Sequence, residues 1–375
     1  MLDLMAHQMQ YETNKLSFTQ SELIGYNVEN IIVQLFKLSG SIDCDTVRVG
    51  LERVVNRFDI LAAAFGGINE FVSNAPVELI DIDEIDEVDL TGMSEEDQWS
   101  EINWLMHEAT GVLDLESGPM IHFELYRLDD TTSILLLATY GVVLDDSSAQ
   151  SFMLEFSQCC FSAEGELDEP YVQYSDYVTG ELSAINTSNW KDSVSYWEGL
   201  LLPQAERLNL NTDGLHNNKN EHHSSKVKIE VPVDLQNKIG LCATDIGVDV
   251  PNFYFVALRI LLHLYTGGKD FNMGFSDLTY EQNQFSPLIG SVNKTLVIRR
   301  AVNFEDTIRG MLDDAQVDLG EAKENSAVTF PEITRLLMDS IGEPINLDVN
   351  FRYFPQKTIE NSANDFSIEA LTHDM

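Results

Sequence analysis

Apolar residues in the first half of the chain recur at helical spacing and then in strand-like runs. Residues 45–65 predict an amphipathic helix of about three turns and then a strand. The apolar positions of that helix are Val47, Leu51, Val54, Val55 and Phe58. Residues 22–38 mix apolar and polar positions as a first strand region does. The acidic stretch 82–97 predicts a loop, and residues 98–111 predict a helix.

Two runs rich in β-forming residues follow at 120–128 and 133–144. Asp129, Asp130 and neighbouring threonines separate the two runs. Because polar turn residues between two such runs are typical of a hairpin, the sequence predicts one here. Residues 147–161 predict the helix that comes after it.

A polar stretch at residues 209–225 has almost no large apolar side chain and predicts a linker. The alternation of strands and helices resumes after it. The predicted strands are 227–231, 270–274, 292–299 and 347–354, and the predicted helices are 234–244, 252–264 and 304–324. Both halves are therefore mixed α/β, which favours two α/β lobes around a shared cleft.

The chain carries a large excess of acidic residues. It has 62 Asp and Glu against 22 Lys and Arg, a formal net charge of −40 at pH 7. Such a surface repels phosphate backbones and anionic lipids, so we expect neither a nucleic acid nor a membrane as partner. We interpret the charge as a solvated acidic face, with a specific recognition surface as the alternative.

The cysteines and histidines predict no metal site. The four cysteines match no zinc spacing, which favours a reduced, cytoplasmic protein with buried thiols. His222 and His223 lie in the polar linker, where a solvated pair is expected. We interpret His263 as a core histidine, and His107 and His122 have no evident partner for acid–base work. Apolar runs are too short for a membrane span, and the first residues do not form a secretory signal.

Generic motifs for other chemistry are missing. The sequence has no glycine-rich phosphate loop and no G-x-S-x-G nucleophile elbow.

Several short segments, in order, resemble the condensation domains of nonribosomal peptide synthetases. Residues 16–20, LSFTQ, are similar to the opening motif of that family. Residues 57–65, RFDILAAAF, resemble R-H-E-x-L-R-T-x-F, with Arg57, Leu61 and Phe65 as matches. Residues 113–119, LDLESGP, resemble the F-D-L-x-x-G-P segment before the central hairpin.

The active-site signature of the family is H-H-x-x-x-D-G, followed one residue later by Ser. Residues 140–148, YGVVLDDSS, are similar to it at Asp145 and Ser148 only. Tyr140 and Gly141 stand where the two histidines are expected, and Asp146 stands at the glycine. The heterocyclization branch, D-x-x-x-x-D-x-x-S, shares Asp145 and Ser148, with Tyr140 at its first Asp.

The resemblance continues to about residue 355. Residues 174–177 resemble Y-x-D-Y, and residues 196–197 resemble the Y-W segment. Residues 289–299 resemble I-G-x-F-V-N-T-L-x-x-R, with Lys294 at the motif's Asn and Arg299 at its Arg. The predicted domains are an extension at 1–15, a first lobe at 16–208, the linker at 209–225 and a shortened second lobe at 226–375.

The resemblance implies two lobes of the chloramphenicol-acetyltransferase fold, arranged as a V-shaped pseudo-dimer with a central tunnel. It implies that peptidyl or acyl carrier proteins deliver phosphopantetheine arms into that tunnel, so that no cofactor is bound permanently. Other assembly-line domains are further expected partners, and a monomer is expected. Tyr140, Ser148 and Lys294 are the residues expected to line the tunnel.

The missing histidine decides the expected chemistry. In the family, the second histidine is thought to orient the amine or to help its proton transfer, and Gly141 has no side chain for either task. The phenol of Tyr140, with a pKa near 10, and the carboxyl of Asp146, near 3.9, are poor bases unless shifted. We expect Asp145 to pair with Arg299 and to act structurally.

Two more positions have structural roles in this reading. We expect Arg57 to be structural, and Ser148 to cap the helix that begins near it.

Three hypotheses follow. The first is a non-catalytic condensation-like domain that binds carrier proteins or a partner enzyme. The second is a divergent condensation- or heterocyclization-type acyltransferase that joins carrier-tethered groups without the usual histidine, with Tyr140, Gly141, Asp145, Asp146 and Ser148 as its degenerate site. The third is an unrelated α/β protein with chance matches. Whether the protein is an enzyme stays open at this point.

Overall fold

The computed structural model describes most of the chain. The described residues are 13–25, 30–67, 70–72, 85, 87–115, 119–163, 167, 170, 172–210, 227–277, 288–303, 305–353, 358–361 and 365–371. Their helices are α1 (Phe18–Gly25), α2 (Cys44–Arg57), α3 (Glu95–Gly111), α4 (Asp146–Phe161), α5 (Tyr174–Ser183), α6 (Ser188–Leu201), α7 (Val233–Ile246), α8 (Val250–Thr266), α9 (Ile308–Glu324) and α10 (Phe330–Ile341).

The strands are mostly short and come from distant parts of the chain. In order they are β1 (Thr13–Lys15), β2 (Ile31–Ser39), β3 (Ala64–Gly67), β4 (Glu70–Val72), β5 (Glu87–Asp89), β6 (Ile121–Arg127), β7 (Thr132–Tyr140), β8 (Asn272–Asp277), β9 (Lys294–Arg299), β10 (Asn350–Arg352), β11 (Thr358–Asn361) and β12 (Phe366–Leu371).

The chain forms two compact units. The first comprises Met1–Ser183, Thr279–Asn293 and Phe354–Met375, and the second comprises Ala184–Leu278 and Lys294–Tyr353. This division differs from the predicted boundaries at 208 and 226, because residues 184–208 belong to the second unit and the last strands return to the sheet of the first unit. Most of the predicted linker 209–225 lies outside the described residues.

A six-stranded sheet forms the centre of the first unit. Its strand order is β11-β12-β2-β7-β6-β5. The predicted hairpin is confirmed as the antiparallel pair β6–β7, in which Ile121 lies opposite Thr139. Strand β7 is buried at every position after its first, as expected for the interior of a sheet. This strand leads directly into the segment that resembles the active-site signature.

Helices α2 and α4 pack closely against each other beside this sheet. A Cβ atom on Gly50 of α2 would lie 2.3 Å from the Cys160 Sγ of α4, so only glycine permits this approach. The predicted apolar positions of α2 are buried, as the helical spacing implied. A separate small sheet of the first unit has the order β1-β4-β3.

The second unit contains a three-stranded sheet with the order β10-β8-β9. Strand β10 is parallel to β8, and β9 is antiparallel to it. The core of this unit is mainly aliphatic and also contains Trp197, Phe255 and Phe271, which are almost completely buried. Helix α7 contributes little to that core, because Ala243 is its one buried residue. Both units combine helices and sheets, which confirms the predicted mixed α/β class.

Several local predictions are wrong. Residues 227–231 do not form a strand in the described structure, although their alternation is strand-like. Residues 22–38 contain the predicted first strand as β2, but they begin in helix α1. The predicted acidic loop 82–97 contains strand β5 and the start of helix α3. The sequence patterns did not predict helices α1, α5, α6 and α10.

No single helix in the described part of the chain is long and apolar enough to cross a membrane. The pair formed by α7 and α8 meets both criteria together, but these helices are bent by 107°.

Glu22 on α1 predicts a dependence of stability on pH. Burial raises the pKa of its carboxyl from 4.5 to about 7. The unfolded chain therefore loses this proton at lower pH than the folded chain, so stability falls as pH rises from about 4.5 to about 7 and stays low above it. We expect Glu22→Gln to raise the free energy of unfolding by about 1 kcal/mol at pH 8, a value discounted because the side chain is partly exposed.

The measurement is urea unfolding at pH 8 and pH 5, with a smaller gain expected at pH 5. Glu52→Gln on the exposed face of α2 is the control, because it removes the same charge from an exposed position. Equal effects of the two substitutions at pH 8 would contradict the burial argument.

Candidate functional site

The segment 140–148 connects β7 to α4 through a tight buried turn. The carbonyl of Tyr140 accepts hydrogen bonds from the N–H groups of Val143 at 2.9 Å and Leu144 at 3.3 Å. Val142, Val143 and Leu144 are all buried. The chain thus turns directly after the central strand, and the residues in place of the signature lie inside the first unit.

The backbone and side chain of Asn30 lie directly against Gly141. Its N–H donates to the carbonyl of Asn30 at 2.6 Å. A Cβ atom on residue 141 would lie 2.6 Å from the Asn30 Nδ2. The amide of Asn30 therefore occupies the place where an imidazole at position 141 would begin, and a larger residue fits there only if Asn30 moves.

Tyr140 and Asp146 are the two neighbours considered as replacement bases. The buried Tyr140 hydroxyl donates to the carbonyl of Leu113 at 3.2 Å. The half-buried Asp146 carboxylate accepts from Gln34 Nε2 at 3.3 Å. Asp146 thus keeps a partly accessible carboxylate in the first turn of α4, whereas Tyr140 is engaged in packing and hydrogen bonding.

Asp145 is the N-cap of α4 and also links this helix by hydrogen bonds to the loop at 292–293. One oxygen, Oδ1, accepts from the Ser148 N–H at 2.8 Å and the Ser147 hydroxyl at 2.8 Å. The other, Oδ2, accepts from the N–H groups of Val292 at 2.7 Å and Asn293 at 2.8 Å. Burial raises the pKa of this carboxyl, and the four hydrogen bonds oppose that shift. This geometry agrees with a structural role.

The prediction that Asp145 and Arg299 form an ion pair is wrong. Arg299 makes a bidentate pair with Asp270, at 3.0 and 2.7 Å, and also donates to the carbonyls of Leu200 and Pro203. Both oxygens of Asp145 are already occupied by the four donors described above. The resemblance correctly indicated that Asp145 and Arg299 are structural, but each side chain binds partners within its own unit and not the other side chain.

Ser148 also differs from its predicted role, since Asp145 rather than Ser148 caps the helix. The Ser148 hydroxyl donates to the carbonyl of Gly290 at 2.5 Å and accepts from the Gly290 N–H at 3.1 Å. Both of its hydrogen-bonding roles are thus satisfied within the buried interior, and a nucleophilic role has no base beside it.

Tyr174 completes the attachment of the loop around Gly290. The Tyr174 hydroxyl donates to the Ser291 carbonyl at 2.9 Å and lies 3.0 Å from the Ser17 hydroxyl. Gly290 has a φ of +153°, and a Cβ atom there would lie 2.0 Å from the Tyr174 ring. The aromatic ring therefore covers the glycine directly.

The opening motif is a capping box at the start of α1. The Ser17 hydroxyl accepts from the Gln20 N–H at 3.0 Å, while the Gln20 side chain accepts from the Ser17 N–H at 3.1 Å. Gln20 Nε2 then donates to the carbonyl of Val142 at 2.9 Å. The motif thus holds the degenerate turn from a second direction.

Arg57 and Asp59, in the segment 57–65 that resembles a family motif, contact helices α4 and α5 of the first unit. Arg57 Nε lies 3.5 Å from Glu155 Oε2 on α4, and both side chains are largely buried. The Asp59 carboxylate accepts from the N–H groups of Tyr174 and Ser175, at 3.1 and 3.0 Å, and so caps α5 from outside the helix. The structural role expected for Arg57 agrees with this ion pair.

Lys294 lies at the start of β9 in the second unit. Its Nζ donates to the carbonyl of Ser326 at 3.1 Å. Its expected place in a tunnel, with Tyr140 and Ser148, stays a prediction.

Three histidines lie in the described part of the chain, and none of them is shown beside Gly141, whereas His222 and His223 lie outside the described residues. His107 is exposed on α3, and His263 is buried with Nδ1 2.6 Å from the Gly268 carbonyl, which confirms it as a core histidine. His122 does have a partner, contrary to the prediction, because its Nε2 lies 3.0 Å from Glu124 Oε1. Tyr126 donates to the same carboxylate. The alternation of polar side chains along β6 is the signal that could have found this group.

Metal chemistry finds no support in the described part of the chain. It contains no group of three or more His, Cys, Asp or Glu side chains that could hold an ion.

The chain is similar to known proteins along nearly its whole length. A family model described as Condensation domain matches residues 7–374. Gramicidin S synthase 2 of Aneurinibacillus migulanus is 19% identical over 323 residues, which cover 86% of this chain and 7% of that protein. Tyrocidine synthase 2 of Brevibacillus parabrevis is 23% identical over 315 residues, which cover 84% and 8%. The chain thus spans a small fraction of the length of these relatives.

Two solved structures share the fold. The first condensation domain of the calcium-dependent antibiotic synthetase, in complex with a substrate analogue, aligns with a TM-score of 0.77 at 14% identity, covering 96% of this chain and 84% of that one. A chain in the complex of the X-domain and OxyB from teicoplanin biosynthesis aligns with a TM-score of 0.66 at 18% identity, covering 96% and 87%. These alignments confirm the expected chloramphenicol-acetyltransferase-like fold.

Proposed function

Because this chain belongs to the condensation domain family, we propose that it acts in nonribosomal peptide assembly as a non-catalytic domain that binds carrier proteins or a partner enzyme. The phosphopantetheine arms of the carriers would be the groups that reach it, and no cofactor of its own is part of the proposal. The cytoplasm, where such assembly takes place, is its proposed location.

The observation that carries this proposal is the environment of Gly141. Residue 141 is glycine and therefore supplies no imidazole, and the side-chain amide of Asn30 lies where its Cβ atom would be. General acid–base help contributes typically 10²–10⁴-fold to a rate, which is roughly what the chain forgoes there. Gln20 still binds the turn at Val142, Asp145 still caps α4, and Ser148 and Tyr174 still bind the loop at 290–291. The framework is retained although the histidine is replaced.

One of the similar structures supports protein binding as a possible role for a domain of this fold. The X-domain, from teicoplanin biosynthesis, is found in complex with OxyB. A domain of this fold can therefore bind another protein, and we extend that class of role to the present chain.

A second candidate function is a divergent acyltransferase. Asp146 favours it, because this half-buried carboxylate lies one residue from the capping Asp145, in the first turn of α4. The domain of the calcium-dependent antibiotic synthetase, which shares the fold, binds a substrate analogue. Attack of an amine on a carrier-bound thioester would be the reaction.

The test combines binding and turnover. We expect the protein to bind a loaded carrier protein in a titration calorimeter and to yield no joined product by intact mass spectrometry when donor and acceptor carriers are both present. Product that is lost in Asp146→Ala would favour the second candidate, with Tyr140→Phe as the matched control beside it. Product that survives both substitutions would indicate catalysis by positioning and would also contradict the first proposal, as would a failure to bind any carrier.

A further inference from the structure

Arg259, on α8 in the second unit, is a buried cation with an unsatisfied nitrogen atom. The residue is only 8% exposed. Its Nη2 atom is buried and has no hydrogen-bond partner among the described residues. Buried polar atoms are nearly always hydrogen-bonded, and a buried charge without a counterion is costly. Such a nitrogen therefore requires an explanation, and an anion that binds to it is one.

The carboxylates that act on Arg259 are already bound by other arginines. Asp318 and Asp270 both attract its charge. The Asp318 carboxylate, however, accepts from Arg300 at 2.7 and 2.6 Å. The Asp270 carboxylate accepts from Arg299 in the bidentate pair described above. Each of these aspartates thus neutralises a different arginine, and neither serves as the hydrogen-bonded counterion of Arg259.

The Arg259 guanidinium keeps its charge although it is buried. Burial lowers its pKa to about 10, an effect that Arg300 increases and that Asp318 and Asp270 oppose. The side chain is therefore a cation at pH 7. Its Cζ atom lies 5.5 Å from the centre of the Phe271 ring. This cation–π contact stabilises the charge but supplies no acceptor in line with the N–H groups, so they stay available to an anion.

Arg259 lines a small pocket between α8, α9 and the residues that follow β9. The pocket has a volume of about 30 Å³. A water molecule needs about 10–15 Å³ on this measure, so two or three groups of that size fit. The apolar side chains of Val256, Ile260, Met311 and Ala315 form part of its lining. The pocket therefore suits a polar group of a few atoms that is attached to a short apolar chain.

The charged side chains of the pocket limit the charge of its ligand. Arg259 and Arg300 line it together with Asp306, Asp314 and Asp318, so the lining carries one more negative than positive charge. An anion with two charges, such as phosphate at pH 8, is repelled more strongly by this excess than an anion with one. A carboxylate has a single charge, and its two oxygens match the planar guanidinium.

We propose that Arg259 binds the carboxylate of a small monocarboxylic acid, whose short alkyl chain packs against Val256, Ile260 and Met311. The carboxylate supplies the acceptor for Nη2 and the counterion for the buried charge. This site lies within the second unit and involves neither Gly141 nor a carrier protein. It therefore goes beyond the proposed function and does not depend on it.

Butyrate is the probe that tests this proposal. For a ligand with six non-hydrogen atoms, we expect a dissociation constant of about 1–10 mM. At ten times that concentration, butyrate is expected to raise the melting temperature of the wild-type protein by about 2–3 °C above its value in sodium chloride of the same ionic strength. Sodium phosphate at pH 8 and the same ionic strength is expected to cause no such rise. Saturation-transfer NMR of butyrate measures the binding directly.

Substitutions of Arg259 assign the effect to its guanidinium. Arg259→Met is expected to abolish the response to butyrate, while its melting temperature without butyrate equals or exceeds that of the wild type, because a buried charge without a counterion is removed. Arg259→Lys keeps the charge without the planar fork and is expected to weaken binding about tenfold. Arg309→Met is the control, because Arg309 is an exposed arginine of α9 outside the pocket, and it is expected to keep the full response. Asp306→Asn, which removes an exposed carboxylate from the pocket lining, is expected to tighten binding about twofold.

Three results would overturn the proposal: a wild-type protein that does not respond to butyrate, an equal response in Arg259→Met, or a response to phosphate as large as that to butyrate. If the wild type does not respond and Arg259→Met lowers the melting temperature, Arg259 is a structural residue whose Nη2 binds buried water instead. If Arg259→Met does not fold, Arg259→Lys decides the question, because unchanged butyrate affinity in that variant contradicts recognition by the guanidinium.

Discussion

Asp145→Ala is expected to lower the free energy of unfolding by about 3–5 kcal/mol. The carboxylate is buried and accepts four hydrogen bonds, three of them from backbone N–H groups. Each buried donor left without a partner costs about 1–3 kcal/mol, and loss of the N-cap costs about 1 kcal/mol. Water that enters the space left by the side chain would recover part of this sum.

Urea unfolding followed by circular dichroism measures this loss, and Asp43→Ala is the matched control. Asp43 is also an aspartate N-cap, at the start of α2, but it is exposed and its carboxylate accepts from Thr46 N–H at 2.7 Å. We expect the control to cost about 1 kcal/mol. If Asp145→Ala lowers the free energy of unfolding no more than the control does, the hydrogen bonds between Asp145 and the loop at 292–293 do not contribute to stability.

Local patterns predicted the parts of the fold that depend on neighbours in sequence. The hairpin β6–β7 and helices α2 and α4 were predicted because their periodicity and turn residues lie within single short windows. Pairings across the chain were not predicted. Strand β12 joins β2 over more than 300 residues, and no local pattern encodes such a contact.

Helix α1 was not predicted, for a different reason. Helix α1 has eight residues and no clear apolar face, so its start depends on the capping box of Ser17 and Gln20 rather than on periodicity. That box is visible in the sequence as a Ser followed three residues later by Gln, a spacing that also belongs to the family motif. Interpreted as physical chemistry, the same capping signal identifies the helix.

The candidate site shows the same limits. Residue types at 140, 141 and 146 were enough to predict that the usual histidine chemistry is missing. The identity of the partners was not accessible, because Asp145 meets residues 147 positions away and Arg299 meets Asp270 instead. A resemblance to a family predicts that a side chain is structural more readily than it predicts which atoms that side chain contacts.

The strand-like pattern at 227–231 failed for a physical reason of its own. Alternation of apolar and polar residues describes a segment that fits a half-buried sheet position. Whether a strand forms depends on a partner, and the described chain offers none at this place.

Gly290→Ala is expected to lower the free energy of unfolding by about 3 kcal/mol or more. A Cβ atom there would lie 2.0 Å from Tyr174 Cδ2 and 2.4 Å from Cε2, closer than any real contact. The ring can move only by breaking its hydrogen bond to the Ser291 carbonyl. Overpacking costs about 1–3 kcal/mol, and the φ of +153° adds strain for any residue with a Cβ.

Gly320→Ala is the control, because Gly320 is an exposed position within helix α9 where a Cβ atom meets nothing within 4 Å. It is expected to raise the free energy of unfolding by about 0.5–1 kcal/mol, as alanine favours helix over glycine. The opposite signs of two chemically identical changes would separate crowding from composition.

A double-mutant cycle then assigns the cost to the ring. If Tyr174 is the group that the new methyl meets, Tyr174→Ala removes the clash, and G290A/Y174A should cost about 1–2 kcal/mol less than the sum of the two single substitutions. Additive costs would instead assign the loss to backbone strain at residue 290. A coupled result would mean that the Tyr174 ring is the group that excludes a methyl group at residue 290 in the loop at 288–293.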